Sequence, residues 1–212
     1  YIAKKVPKNI HSMTISDLNF GMYPRDLEIC QTISDCQKKY EYPNIIQAST
    51  GKNQKEKIIN AIKSLNGALR LSMSVQSMDQ EVLENIRRSN ISVDQMLALA
   101  PAIEEEKLGT TAEVILGLPG ETYKSHIQTL RDLVKNNLNY VRPYTLMLLH
   151  GSEMNTPEQR EKWQFKTKFR ILPKDFVKLS DGKKIIETEE VVISTSTLNF
   201  EEYIDLRLLA FI

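Results

Sequence analysis

The sequence predicts an α/β fold built on a parallel sheet, and two observations carry that prediction. Strand-like apolar runs alternate with helical patterns through five strands between Ser12 and Leu149, and strands joined by helical crossovers read as a parallel sheet covered on at least one face. Small polar residues gather at the carboxyl ends of those runs, as in Leu71-Ser-Met-Ser-Val-Gln-Ser77 and Ala112-Glu-Val-Ile-Leu-Gly-Leu-Pro-Gly-Glu-Thr122, where α/β folds build their ligand crevices. The pattern fits part of a barrel and also an open doubly wound sheet; periodicity does not separate the two.

Residues 12–17 form the first expected strand, and the turn at 19–24 leads into a helix over 24–40 that opens on Pro24. The second strand is 44–49. Ile58, Ile59, Ile62 and Leu65 then recur at helical spacing, with Asn66-Gly67 as the stop. The third strand is 68–75, followed by a helix from about Asp79 that buries Val82, Leu83 and Ile86. A second helix is expected from Ser92, kinked or broken at Pro101. Strand 111–116, helix 121–138 and strand 141–149 complete the alternation. After Gly151 the pattern breaks into a helix over 156–163 and extended segments at 168–172, 183–187 and 191–194. A terminal helix over 200–212 follows, with Asn199 as its N-cap and Leu206, Leu208 and Leu209 as its buried residues.

The composition narrows the function classes. The 212 residues suffice for one substantial core plus a tail; 41% are hydrophobic, 26% charged, and the formal net charge is +1, as in ordinary globular proteins. Lysines are scattered rather than gathered into a stripe, so there is no clear nucleic-acid signal. The two cysteines, Cys30 and Cys36, argue against a disulfide framework and for a reducing, cytoplasmic setting. Six residues apart on a helix is a rotation of about 600°, which points them to different faces as ordinary structural side chains. No run approaches the roughly 20 apolar residues of a membrane span, and the first residues do not form a signal peptide. The absence of an initiator Met predicts that the chain begins partway into a longer polypeptide.

Several residues carry potential chemistry. Gln76 and Ser77 present an amide and a hydroxyl at a strand end, suited to a ribose diol, a carboxylate or simply loop backbone. Arg88 suits a bidentate carboxylate contact or the dipole at a helix end. Glu113 is a carboxylate in an apolar strand, which calls for an ion-pair partner or a polar ligand. Gly117 opens a tight strand-to-helix turn that permits close backbone approach, without the Lys-Ser/Thr of a phosphate loop. Asp17 and Asn19 end the first strand, and Ser49 and Lys52 lie at the end of the second. His11, His126 and His150 lack ligand spacing, so no protein-only metal site is expected.

Taken together, Ser74-Val-Gln-Ser77, Glu81-Val-Leu-Glu-Asn-Ile-Arg-Arg88 and Glu113-Val-Ile-Leu-Gly-Leu-Pro-Gly-Glu-Thr122, in this order and spacing, resemble the second half of the radical S-adenosylmethionine (SAM) superfamily barrel. Asp17-Leu-Asn-Phe-Gly-Met-Tyr23, Ser49-Thr-Gly-Lys-Asn53 and Glu187-Thr-Glu-Glu-Val-Val-Ile-Ser-Thr195 resemble its members associated with a cobalamin-binding domain. The resemblance implies a partial TIM-like (β/α)6 barrel over 1–151, truncated at its N-terminal strand, and a C-terminal α+β extension over 152–212. It implies SAM across the strand ends: Gln76 and Ser77 at the ribose, Arg88 at the methionine carboxylate, Glu113 at the ribose or nearby polar groups, Gly117 on the adenine side, Asp17 and Asn19 at the amino group, and Ser49 as a polar contact. It also implies a [4Fe-4S] cluster and an upstream cobalamin domain. The family's CxxxCxxC is absent, so a first strand is expected before Tyr1, and the chain is expected to be inactive alone.

Two rival readings accompany this one: a phosphate-binding α/β-barrel enzyme, suggested by Lys52 and the glycine-rich turns, and a non-catalytic binding or scaffold module. The substrate, small-molecule or macromolecular, is not specified by the sequence. An open barrel edge predicts self-association.

Overall fold

A computed structural model of the chain describes residues 1–50, 55–88 and 109–210. The expectations for Lys52, Ser92 and Pro101 lie outside the described residues. In chain order the elements are α1 (Ile2–Lys5), β1 (Ser12–Phe20), α2 (Pro24–Tyr40), β2 (Ile45–Thr50), α3 (Lys55–Ser64), β3 (Leu71–Gln76), α4 (Gln80–Asn85), β4 (Thr110–Leu116), α5 (Tyr123–Lys135), β5 (Tyr140–Thr145), a 3-10 turn (Glu153–Asn155), α6 (Pro157–Trp163), β6 (Lys166–Lys178), β7 (Lys184–Ser194) and α7 (Phe200–Leu209). β1 and β2 pair in parallel, β3, β4 and β5 form a three-stranded sheet in that order, and β6 and β7 form an antiparallel ribbon. No helix among the described residues is long and apolar enough to cross a membrane.

The chain divides into two compact units, one of Tyr1–Ser74, Ile91–Glu113 and Val134–Val141, the other of Val75–Asn90, Val114–Leu133 and Arg142–Ile212. In the first, Ile58, Ile62 and Leu65 of the predicted stripe are buried with Phe20, Ile33, Ile46 and Leu69. Asn66 and Gly67 stop α3 with positive φ, as expected. Pro24 opens α2, and the buried Asp26 carboxylate accepts hydrogen bonds from Gly21 N–H and Tyr23 N–H at 2.9 Å each, reaching back to the N-cap residue and tying the entry turn to the helix.

Cys30 is fully buried in this core and Cys36 half-buried, on different faces as predicted. Burial pushes the Cys30 thiol up to about 11, a rise that nearby Asp26 reinforces and the hydrogen bond with Ser64 opposes. A thiol held protonated and out of solvent is unreactive. Titration with a thiol reagent at neutral pH is therefore expected to modify Cys36 in the native chain and Cys30 only in denaturant. Equal native rates for both would contradict this packing.

In the second unit the core joins Val82, Leu118, Leu146, Leu148 and Val192, and a further cluster joins Leu116, Leu198, Tyr203 and Leu206. Three expectations need correction. β5 stops at Thr145: its partner β4 ends at Leu116, whose C=O takes Leu146 N–H at 2.9 Å, and the segment beyond pairs antiparallel with β7, Leu148 N–H donating to Glu190 C=O at 3.0 Å and Val192 N–H to Leu146 C=O at 2.9 Å. The three extended segments after Trp163 are two long strands, joined by a turn at Asp181-Gly182. Asn199 does cap α7, in a reciprocal pair with Glu202, but of its leucines only Leu206 is buried; Leu208 is 60% exposed, lying about 200° around the helix from Leu206.

An ionic clamp fixes this extension. Arg160 forms a two-pronged pair with Glu190, at 2.9 and 2.5 Å, and donates to Asn155 Oδ1 at 2.8 Å; Thr167 Oγ1 donates to Glu190 at 2.6 Å. The Arg160 hydrogen bonds hold the Glu190 carboxyl below the usual carboxylate range, helped by Thr167 and opposed by burial. A depressed carboxylate contributes stability that is full above its unfolded value, about 4.3, and lost as pH falls through the lower folded value. Unfolding of the native chain and Glu190→Gln, compared at pH 7 and in strong acid, is expected to show a stability gap that closes on acidification. A gap of equal size at both pH values would contradict the clamp.

Candidate functional site

The second unit brings four of the predicted residues into one compact body: Gln76, Ser77, Arg88 and Gly117. β3 ends in a turn in which Ser77 N–H donates to Val75 C=O at 2.8 Å while Gln76 takes φ +59°. Such a three-residue turn with a left-handed centre is rare and strained, costing on the order of 1–2 kcal/mol for a side chain other than glycine. Gln76 Oε1 is buried with no hydrogen-bond partner among the described residues, a further cost of roughly 1–3 kcal/mol. Strain and an unsatisfied amide meet at one strand-end residue, the combination expected where structure serves a ligand. Ser77 is buried, and its hydroxyl accepts from Asp79 N–H at 3.1 Å, starting the turn into α4, where the Asp79 carboxylate caps Val82 N–H. Its backbone-satisfying role is thus explicit.

Arg88 is placed differently from the expectation. α4 ends at Asn85, so Arg88 lies three residues past the helix, in the turn that closes its carboxyl end. Arg87 adopts φ +51°, Arg87 N–H bonds Glu84 C=O at 3.0 Å and Arg88 N–H bonds Leu83 C=O at 2.9 Å, which is the Schellman closure with arginine in place of the usual glycine. The sequence signal was weak because nothing in Ile86-Arg-Arg88 looks like a helix stop. Arg88 is half-buried, and burial lowers its pKa, though a guanidinium stays charged.

Gly117 follows β4 with φ +92°, a conformation side chains resist. Its N–H donates to Glu121 Oε2 at 2.6 Å, and Glu121 Oε1 meets His126 Nδ1 at 2.8 Å, with both side chains buried. Thr197 Oγ1 donates to Glu121 C=O at 2.6 Å. Glu121 and His126 are the residues that sequence reasoning missed. The signal was the carboxylate closing Gly117-Leu-Pro-Gly-Glu121, read only as a glycine turn, and a histidine five residues on, judged solely as a metal ligand.

Asp17, Asn19, Ser49 and Glu113 belong to the first unit. The register of β1 with β2 passes from Ile15↔Ala48 to Phe20↔Thr50, so residues 16–19 bulge opposite Ser49 alone. A bulge re-aims side chains. Here it leaves Asp17 and Asn19 beside an open depression also lined by Tyr23, Pro24 and Arg25. Asp17 Oδ1 accepts from Asn19 N–H at 2.8 Å, and Arg25 lies 3.8 Å from Asp17 Oδ2 and over the Tyr23 ring. Ser49 is exposed on β2. Glu113 is half-buried and accepts a hydrogen bond from Ser74 Oγ at 3.0 Å, so its place in an apolar strand is met at least partly within the protein. His11 and His150 are exposed, and among the described residues no group of His, Cys, Asp and Glu is arranged to hold a metal ion.

A strand end with an unsatisfied amide, a half-buried guanidinium and a glycine backbone gives hydrogen-bond acceptance, anion recognition and close approach for a flat group. These are functions of binding rather than of bond cleavage. Comparison with known proteins is consistent with that inventory. The model of the radical SAM superfamily matches residues 1–133. The chain is 30% identical over 203 residues to the cobalamin-dependent radical SAM methyltransferase TokK of Streptomyces tokunonensis, covering 93% of this chain and 29% of that protein. It is 28% identical over 201 residues to the 2-(S-pantetheinyl)-carbapenam-3-carboxylate methyltransferase of Streptantibioticus cattleyicolor, again 93% and 29%; the chain thus spans under a third of either relative. Among solved structures it is similar to the radical SAM methyltransferase TsrM of Kitasatospora setae, with a TM-score of 0.60 and 12% identity, over 99% of this chain and 44% of that one. This likeness shows the fold, a partial TIM-like barrel with parallel strands. The chain belongs to the radical SAM superfamily, a family of enzymes.

Proposed function

We propose that this chain supplies the adenosyl-binding part of a cobalamin-associated radical SAM methyltransferase. The observation that carries the reading is the buried Oε1 of Gln76, without a hydrogen-bond partner among the described residues, on a strained turn: an amide oxygen so held suits a ribose hydroxyl donor. In this reading Gln76, with Ser77, takes the ribose, Arg88 pairs with the methionine carboxylate, and the Gly117 backbone lies on the adenine side. Asp17 and Asn19 are assigned to the amino group, Ser49 to a polar contact and Glu113 to the ribose or its surroundings, each on the family resemblance. Methyl transfer is inferred from the two methyltransferase relatives, and cobalamin from the first of them.

Bound SAM, with a reduced [4Fe-4S] cluster, supplies a 5′-deoxyadenosyl radical in this superfamily. The residues of this chain do not fit the cluster. Three cysteinates are required, whereas the chain has two cysteines, one of them buried and held protonated. Its own residues bind and orient; alone, the chain is expected to bind SAM without cleaving it.

Calorimetric titration with S-adenosylhomocysteine tests the reading. The native chain is expected to bind saturably, and Gln76→Ala and Glu113→Ala to weaken binding roughly tenfold each, the size of one hydrogen bond. Binding unchanged in Gln76→Ala would overturn the ribose assignment.

A further inference from the structure

We propose that Asn85 is a positioning residue that ties the Arg88 arm of the site to the Gly117 turn. The proposal rests on the functional reading above and adds to it a residue that touches no ligand. Asn85 is the last residue of α4, and its Nδ2 donates to the Pro119 carbonyl at 3.3 Å. That carbonyl lies between Gly117 and Gly120, inside the turn assigned to the adenine side. The fit is close: a Cβ on Gly120, itself at φ +80°, would lie 2.5 Å from Asn85 Nδ2. The backbone angle favours glycine at 120, and a side chain there would push the Asn85 amide off its present place.

The other end of the linkage is the helix terminus. Ile86 N–H bonds Val82 C=O, and the Schellman closure ties Arg87 to Glu84 and Arg88 to Leu83, so the main chain from Asn85 to Arg88 has little freedom. An amide anchored at one end on Pro119 and at the other in this closure sets the separation between the guanidinium and the glycine turn. Bound SAM must reach the guanidinium with its carboxylate and the glycine turn with its adenine at the same time, so a displaced turn weakens the match between the two subsites. Asn85 is at the helix end, where its replacement by alanine costs nothing in helix propensity, so the linkage can be probed without weakening α4 itself.

The test is titration with S-adenosylhomocysteine of the native chain, Asn85→Asp, Asn85→Ala, Arg88→Ala and the Asn85→Asp/Arg88→Ala double variant, with circular dichroism and thermal unfolding to confirm that each is folded. Asn85→Asp keeps the shape but removes the donor. It is expected to weaken binding about tenfold, as alanine does, and to add little once Arg88 is gone, because coupled groups are non-additive. A role in packing alone would leave Asn85→Asp at native affinity. Native binding with an unchanged Asn85→Asp, or fully additive losses in the double variant, overturns the positioning role and leaves the functional reading standing. No binding by the folded native chain overturns both.

Discussion

Glu121→Ala is expected to destabilise the folded chain by about 2–5 kcal/mol, because it removes the hydrogen-bond partner of two buried groups at once. The carboxylate is 1% exposed and serves two buried groups, Gly117 N–H at 2.6 Å and His126 Nδ1 at 2.8 Å. Alanine would strand both, and each abandoned buried group costs roughly 1–3 kcal/mol. Glu121→Gln keeps the shape and one acceptor oxygen, so it should cost less than half as much. Urea unfolding of the two variants decides the matter: an alanine variant within 1 kcal/mol of native, on the scale of a surface change, would show that the network does not hold the turn. The consequence reaches the proposed site, because Glu121 is what holds the Gly117 N–H in that turn.

Arg88→Ala is expected to weaken S-adenosylhomocysteine binding by about 10- to 100-fold, the worth of a charge-assisted hydrogen bond to a carboxylate. The same variant should bind 5′-methylthioadenosine as the native chain does, since that ligand has the adenine and ribose but no carboxylate. Parallel losses for both ligands would move Arg88 from the carboxylate to a structural role. The contrast is sharp because Arg88 is half-buried and not part of α4, so its truncation leaves the helix hydrogen bonds intact.

The architecture was legible where local chemistry and packing agree. α2 begins at Pro24 and ends at Tyr40 as the sequence indicates, and the Ile58, Ile62 and Leu65 stripe is buried. Legibility failed where long-range pairing decides. Residues 146–148 carry a strand-like apolar pattern, but their partner is β7, more than forty positions later, and no local signal specifies an antiparallel partner at that distance. The β6–β7 ribbon was broken into pieces for a related reason. Its Phe169, Ile171, Phe176 and Ile186 are exposed, so the burial alternation that marks a strand is absent.

The site divides in the same way. The places of Gln76 at the end of β3 and of Gly117 after β4 were legible in the sequence, whereas the place of Arg88 beyond α4 and the contacts around all three were not. The left-handed φ of Gln76 and Arg87 occurs at residues with no special propensity for it. Asn85 acts through a contact with Pro119, 34 positions away, which depends on tertiary placement, whereas Glu121 and His126 act locally, four residues from Gly117 and five from each other, a spacing that matches no glycine-turn motif.

The central claim is that the carboxyl end of β3, the end of α4 and the turn after β4 form an adenosyl seat. Its most direct test is the backbone amide spectrum of the isotopically labelled chain during titration with S-adenosylhomocysteine. Saturable shifts at Gln76, Ser77, Arg88, Gly117 and Leu118, with β6 and β7 unmoved, are the predicted result. A folded chain whose amides at those positions stay still, or whose shifts fall on the ribbon instead, would contradict it.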